Sequence, residues 1–258
     1  MSVITKQPQS LSTLGNWYIP QIKRDSRFHN CPPGMEPLLD ANHLLIKQEL
    51  ELFEAFTGYE TSNKYWITNS FGQNLFLAVE ESECLTRQCA GSLRPFTIHI
   101  KDHANNTVAQ VYRPMRCDTC CCPLCLQEIE VMAPPGITIG WVKQALTCCY
   151  PKFYVKDKKR KENKLVIKGP LWTCSCCYSD VEFDVHDSEG KQIGKITKHW
   201  SGFFKEVLTD ADLFGIHFPE LLDIDLKITL LGTVLLIDYM FFEDPACGKR
   251  KDCPGMCC

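Results

Sequence analysis

Five cysteines, Cys117, Cys120, Cys121, Cys122 and Cys125, fall within nine residues and form the densest concentration of reactive side chains in the chain. Thiols so crowded suit two chemistries. As thiolates, the CxxC units Cys117-Cys120 and Cys122-Cys125 have the spacing of tetrahedral zinc ligands, although a single residue stands where zinc ribbons place about a dozen or more. As nucleophiles, Cys120, Cys121, Cys122 and Cys125 are acceptors for fatty acyl thioesters. An acyl chain binds lipid with about 0.8 kcal/mol per buried CH₂, and stable attachment takes two chains or one chain and a second signal, so a cluster fits the requirement. Spacing alone leaves both readings open. The terminal pair Cys257-Cys258, with Cys253 nearby, is a further candidate for lipidation.

Carboxylates make the second constellation. Asp210, Asp212 and Gly215 stand at positions 1, 3 and 6 of an EF-hand-like loop, the arrangement that binds calcium through oxygen ligands. Phe214 occupies position 5 and Leu221 position 12, both of which call for oxygen, so Glu220 or Asp223 must substitute. A set so poor in carboxylates predicts weak binding, with Kd at about 10⁻⁴ to 10⁻³ M. The competing role of Asp210 and Asp212 is to cap and solvate the segment before the last helix. The run Lys158-Lys159-Arg160-Lys161 reads as a solvated turn between strands, or as a contact for anionic headgroups worth about 1 kcal/mol per charge. No GxSxG, HExxH, GxxxxGK[ST] or GxGxxG occurs, and the seven histidines have no catalytic spacing to carboxylates or thiols. These absences argue against an enzyme and against a small-molecule substrate.

The elements that position these residues read mainly as strands. KYWITN, NLFLAVEE, PFTIHIK, TVAQVYR, LQEIEVMA, ITIGWVKQ, KFYVK, KLVIKG, VEFDVHD and KQIGKITK alternate in polarity, and their short connectors hold Asn105-Asn106, Pro134-Pro135-Gly136 and Ser188-Glu189-Gly190. Such connectors leave no room for crossover helices, which excludes a parallel βαβ fold. Ten or more antiparallel strands expose edges unless they close, so a barrel or a tightly curled sheet is expected. From His43, the spacing of Leu44, Leu45, Leu50, Leu52, Phe53 and Phe56 predicts a helix, and Phe203, Phe204, Val207 and Leu208 predict another.

The most apolar stretch runs from Ile228 to Phe242 and includes Leu230, Leu231, Val234, Leu235, Leu236, Ile237 and Phe241, with Asp238 as its one charge. As a helix it is roughly 22 Å long, short for a hydrocarbon core of about 30 Å, but suited to a site enclosed by protein, such as the middle of a closed barrel.

Length and composition agree with one globular domain. The chain has 258 residues, 45% of them hydrophobic and 23% charged, with a net charge of -3 that supplies no general field for nucleic acid. The first residues, MSVITKQPQS, lack the features of a secretory signal, so the seventeen cysteines are expected to be reduced thiols in a chain made in the cytosol. The expected organisation is a flexible tail at 1–40, one domain at 41–243 and a cysteine-containing tail at 244–258.

Several segments in order carry a family resemblance. FTGYETSNKY at 56–65, NSFGQ at 69–73, RPMRCDTCCCPLCLQEIEV at 113–131, APPG at 133–136, GKITKHWSGF at 194–203 and TDADLFGIHFP at 209–219 resemble the phospholipid scramblase family, here a member with a short N-terminal tail. The resemblance implies a Tubby-like fold: mainly β, a closed antiparallel twelve-stranded barrel around a C-terminal hydrophobic helix. It also implies calcium-activated, ATP-independent, bidirectional movement of phospholipids between leaflets. The Cys120-Cys121-Cys122-Pro123-Leu124-Cys125 run matches the family's palmitoylated element except that Leu124 replaces a cysteine, which favours acylation over zinc. Lys195, Lys198, His199 and Trp200 match its nuclear import element, with importin as the partner; otherwise they end a strand.

The implied partners are the phospholipid membrane, especially anionic lipid, and nucleic acid more weakly. The implied location is the plasma membrane, at its cytoplasmic face or as a single-pass protein, and also the nucleus. The alternative is a palmitoylated, membrane-tethered or nuclear interaction protein that binds lipid or DNA and moves none.

Overall fold

A computed structural model describes residues 16–18, 31–49, 62–83, 93–116, 126–134, 136–171, 173, 179–199 and 212–243. Twelve strands alternate in direction around a closed barrel: β1 (His43–Glu49), β2 (Lys64–Asn69), β3 (Asn74–Glu81), β4 (Phe96–Lys101), β5 (Thr107–Arg113), β6 (Glu128–Met132), β7 (Thr138–Gln144), β8 (Lys152–Lys156), β9 (Asn163–Lys168), β10 (Val181–Asp187), β11 (Gln192–His199) and β12 (Leu213–His217). Each strand pairs antiparallel with its neighbours in sequence, and β12 returns to β1 with His43 opposite His217 and Lys47 opposite Leu213. Closure leaves no unpaired edge.

All ten strands expected from alternation are present, as β2 to β11. The period of two sorts their side chains: in β4, Phe96, Ile98 and Ile100 point inward and are buried, while Thr97, His99 and Lys101 do not. The helix expected from His43 is corrected. His43–Glu49 is β1, because Leu44 and Ile46 face the core on alternate residues, and the remainder of that expected helix, like the one at 203–208, lies outside the described residues.

The core helix, α1 (Ile224–Phe241), begins one turn earlier than the apolar run suggested. Asp223 caps it by accepting from the Asp225 N–H. Every residue from Lys227 to Tyr239 is buried, Ile228, Leu230, Leu231, Val234, Leu235, Leu236 and Ile237 fully so. This is the pattern of a helix enclosed on all sides, and its side chains meet opposite walls. Tyr239 packs on Phe96 of β4, while Phe241 approaches Phe153 of β8 and Phe183 of β10. Each enclosed aliphatic contributes about 1.5–3 kcal/mol relative to exposure. Gly140 of β7 makes room for the helix, because a Cβ there would overlap Thr229.

The barrel has two unlike rims. At one, hairpins close tightly, and the same device recurs: a side-chain oxygen of Asn69, Asp102, Asp157 or Asp187 accepts two backbone N–H groups of its own turn. At the other, the connections after β1, β3, β5, β9 and β11 are long. Helix α1 starts at the tight rim and ends at the wide one. The domain also begins earlier than residue 41: Met35 and Leu38 are fully buried, and Tyr18 donates to the Asn74 carbonyl at 2.9 Å.

Candidate functional site

Polar groups collect around the end of α1, just inside the wide rim. Arg94 is almost completely buried; it donates to Glu80 at 2.6 and 3.0 Å and also pairs with Glu243. Asn63 donates its amide to Glu243 at 2.6 Å, and Tyr65 donates its hydroxyl to Asp238 at 2.7 Å. Nearby, Lys198 points inward from β11, pairs with Asp212 at 2.8 Å and places its ammonium 4.0 Å from the Phe242 ring centre. The C-terminal end of the helix is therefore tied to β2, β3 and β11 by side chains that could not be left unpaired at such burial.

Burial sets the protonation of these groups. It raises Asp238 well above the usual carboxylate range, with the Asp212 charge adding to the effect. Burial raises Glu243 to about 7 although Arg94 opposes it. At Glu80 burial also acts upward, but the Arg94 hydrogen bonds and charge outweigh it and hold Glu80 below its ordinary value. Two carboxyl oxygens, Asp238 Oδ1 and Glu243 Oε2, are buried without a hydrogen-bond partner.

The tight rim is held by one cation. Lys227, in the first turns of α1, sends its ammonium to the carbonyl oxygens of Leu38, Leu39, Ala41 and Glu220 at 2.8, 3.1, 2.8 and 2.7 Å. Those carbonyls belong to the segment before β1 and the turn after β12, so one side chain closes the floor of the barrel.

The expected calcium set is not gathered in one loop. Leu213–His217 is strand β12, and Gly215 pairs with Leu45 and Thr197 instead of turning a loop. Asp212 lies at the wide rim, whereas Glu220 and Asp223 follow the far end of β12, about 16 Å of strand away. Asp210 lies outside the described residues, and among the described residues no three His, Cys, Asp or Glu side chains are already gathered to hold a metal ion. Cys120, Cys121, Cys122 and Cys125 also lie outside the described residues; the strands their segment joins, β5 and β6, meet it at the wide rim.

Of the basic element, Lys195 and His199 face outward and pair with Glu182 at 2.9 Å and Asp180 at 3.0 Å, Lys198 faces inward, and Trp200 lies outside the described residues. In the basic turn, Lys158 pairs with Asp225, and Arg160 pairs with Glu128 and stacks on Trp141. Among the described residues no helix is long and apolar enough to cross a membrane.

The arrangement is a plugged barrel, and comparison with known proteins gives it a family. The family model described as Scramblase matches residues 24–244. The chain belongs to the scramblase family. Phospholipid scramblase 1 of Homo sapiens is 49% identical over 223 residues, covering 86% of this chain and 70% of that protein. Its Mus musculus counterpart is 50% identical over 215 residues, covering 83% and 65%. Phospholipid scramblase 2 of Bos taurus is 49% identical over 215 residues, covering 83% and 73%. The chain thus spans about two thirds of the scramblase 1 proteins it matches, and no solved structure matches it.

Two features escaped the sequence reading, the Arg94–Glu80–Glu243 group and the Lys227 cage. A signal for both was present: a helix that is apolar on every face and yet carries Lys227 and Asp238 must find them partners inside the protein.

Proposed function

We propose that this scramblase-family chain moves phospholipids in both directions between membrane leaflets, without ATP and in response to calcium, and that it forms and breaks no covalent bond in its substrate. The observation that carries the reading is near 50% identity, over more than four fifths of the chain, to proteins named phospholipid scramblases. Attachment comes from acyl thioesters on Cys120, Cys121, Cys122 and Cys125, at a rim joined by strand ends, with anionic lipid contacted by Lys159 and Lys161. Plasma membrane is the expected location.

The interior of the barrel is filled by α1, so lipid headgroups cross along its outer surface, or after α1 leaves the barrel. Moving α1 out exposes seven fully buried aliphatic side chains between Ile228 and Ile237, a change compensated only by burial in hydrocarbon. Calcium acts at Asp210 and Asp212, where the ion takes the Asp212 carboxylate from Lys198 and loosens the ties around the helix end. Gly215, Glu220 and Asp223 stand outside that pair.

The test is reconstitution. Purified protein in vesicles with a fluorescent lipid should expose inner-leaflet label to an external quencher when calcium is added, with no nucleotide present. Protein-free vesicles measure the effect of calcium on anionic bilayers themselves. Equal exposure in both would defeat the reading.

The enclosed helix favours a second reading, in which the tethered barrel acts as an interaction module and moves no lipid. Its nuclear form, recognised by importin through Lys195, Lys198, His199 and Trp200 and binding nucleic acid, requires that β11 first release the Lys198–Asp212 pair.

A further inference from the structure

A cleft of about 530 Å³ lies on the outer wall of the barrel, over β3, β4 and the start of β5, outside the helix contacts and ion pairs described so far. Glu81, His99, Lys101 and Thr107 line it, and Ser62 and Ser82 stand at its wide-rim end. The strands set the order of these groups. His99 is opposite Val79 on one side and Gln110 on the other, Lys101 is opposite Thr107, and Glu81 is opposite Thr97. Carboxylate and ammonium therefore occupy different levels of one face, with the imidazole between them.

A chain of hydrogen bonds fixes the centre. Gln110 donates its amide to His99 Nδ1 at 3.2 Å, which leaves the ring proton on Nε2, and that N–H donates to Glu81 Oε2 at 2.6 Å. Glu81 is thereby aimed along the cleft, while its side chain stays 77% exposed and its other oxygen is open to a ligand. Lys101 has no ion-pair partner among the described residues, and two residues of strand, roughly 7 Å, separate its level from that of His99.

The geometry points to a site for the headgroup of an ethanolamine phospholipid, with the phosphodiester on Lys101 and Thr107, the primary ammonium on Glu81, and His99 as the residue that positions Glu81. A zwitterion whose phosphate and amine are joined by two carbons matches a wall that offers one ammonium and one carboxylate at this spacing, each forming a charge-assisted bond. The class of amine follows from what surrounds Glu81. None of the lining residues is Trp, Tyr or Phe, the rings over which a quaternary ammonium is held, whereas a primary ammonium has three N–H donors for Glu81 and for the hydroxyl oxygens of Ser62 and Ser82. A second carboxylate on the headgroup, as in serine lipids, would meet Glu81 at like charge.

That the ligand is a lipid rests on the lipid movement proposed above. The cleft is then a polar station on the outer surface, along which a headgroup passes a barrel whose interior is filled.

The test uses the full-length chain in solution, with no vesicles and no calcium, so it can fail while lipid movement stands, and the reverse. The headgroup with its diester, sn-glycero-3-phosphoethanolamine, is titrated while the His99 imidazole and the Thr107 amide are followed by NMR. Saturable shifts of both are expected, with affinity about tenfold above that for sn-glycero-3-phosphocholine and for inorganic phosphate. Glu81→Gln should remove the preference for ethanolamine over choline. Lys101→Met should weaken every ligand about tenfold, and Lys101→Arg should retain them. His99→Ala should reduce the ethanolamine preference, and His99→Gln, whose amide can still donate to Glu81, should restore it, which a merely structural role would not produce. The preference is a ratio measured on one protein, so it does not depend on the folded fraction of a variant. Absence of saturable shifts at His99 in the parent would overturn the proposal, as would equal affinity for the choline compound or for inorganic phosphate, or an unchanged preference in Glu81→Gln.

Discussion

Tyr65, at the start of β2, donates its hydroxyl to Asp238, in the last turn of α1, across a distance of 2.7 Å in the fully buried interior. The other Asp238 oxygen has no hydrogen-bond partner, so this bond is the carboxyl group's main compensation for burial. Tyr65→Phe should therefore destabilise the barrel by about 1–3 kcal/mol, and the double variant Tyr65→Phe/Asp238→Leu should cost less than the sum of the two single changes. Urea unfolding of the two single variants and the double variant measures both quantities.

Glu243 predicts a pH dependence. Its pKa rises from 4.5 to about 7 on folding, so between these values the folded protein holds a proton that the unfolded chain has released. Stability from this group is present below about pH 4.5 and is lost as pH rises to about 7, a change on the order of 3 kcal/mol. Glu80, whose pKa is lowered, works in the opposite direction, so total stability does not isolate the effect. The parent minus Glu243→Gln difference does. Denaturation at pH 5 and pH 7.5 should show the parent losing stability relative to the variant; a constant difference would contradict the assignment.

Lys227→Met keeps the length and volume of the side chain but leaves four carbonyl oxygens without their ammonium. The expected loss is about 3 kcal/mol or more, read as a lower urea midpoint, and Lys227→Ala should be worse because it also opens a cavity.

The calcium reading separates two aspartates at opposite ends of β12. Asp212→Asn should abolish calcium-dependent lipid movement in vesicles. Asp223→Asn should preserve it, because asparagine keeps the helix cap and Asp223 lies at the far rim. Loss in both variants would restore the single-loop arrangement.

Replacing Cys120, Cys121, Cys122 and Cys125 by alanine should shift the protein from the membrane pellet to the soluble and nuclear fractions, since it removes every chain of the proposed anchor. Hydroxylamine, which cleaves thioesters, should release the parent in the same way. Membrane attachment that survives both treatments would assign anchoring elsewhere.

The strands that form the wall were legible and those that close it were not. Apolar runs within β2 to β11 reach at most five residues, Leu75 to Val79 in β3, so a period of two is visible across the set. In β1, adjacent Leu44 and Leu45 followed by Leu50, Leu52 and Phe53 imitate a helical period, although Leu45 faces outward. In β12, Asp210 and Asp212 drew attention to a loop and hid the spacing of Phe214 and Ile216, both of which are buried in the core. The Arg94–Glu243 contact joins residues 149 positions apart, beyond any local pattern. The β1–β12 seam that closes the barrel likewise pairs the first strand with the last.

That seam also fixes the timing of biosynthesis. β1 emerges among the first elements and its partner β12 among the last, so at about 5–20 residues per second the seam stays open on the ribosome for roughly ten seconds or more. Helix α1 follows later still. Until β12 and then α1 arrive, a nascent sheet of eleven strands has an unfilled apolar face and two live edges, the condition in which chains pair with one another. A nascent scramblase-family chain should accordingly depend on a holding chaperone, and premature termination before Ile224 should give aggregates instead of a smaller working barrel.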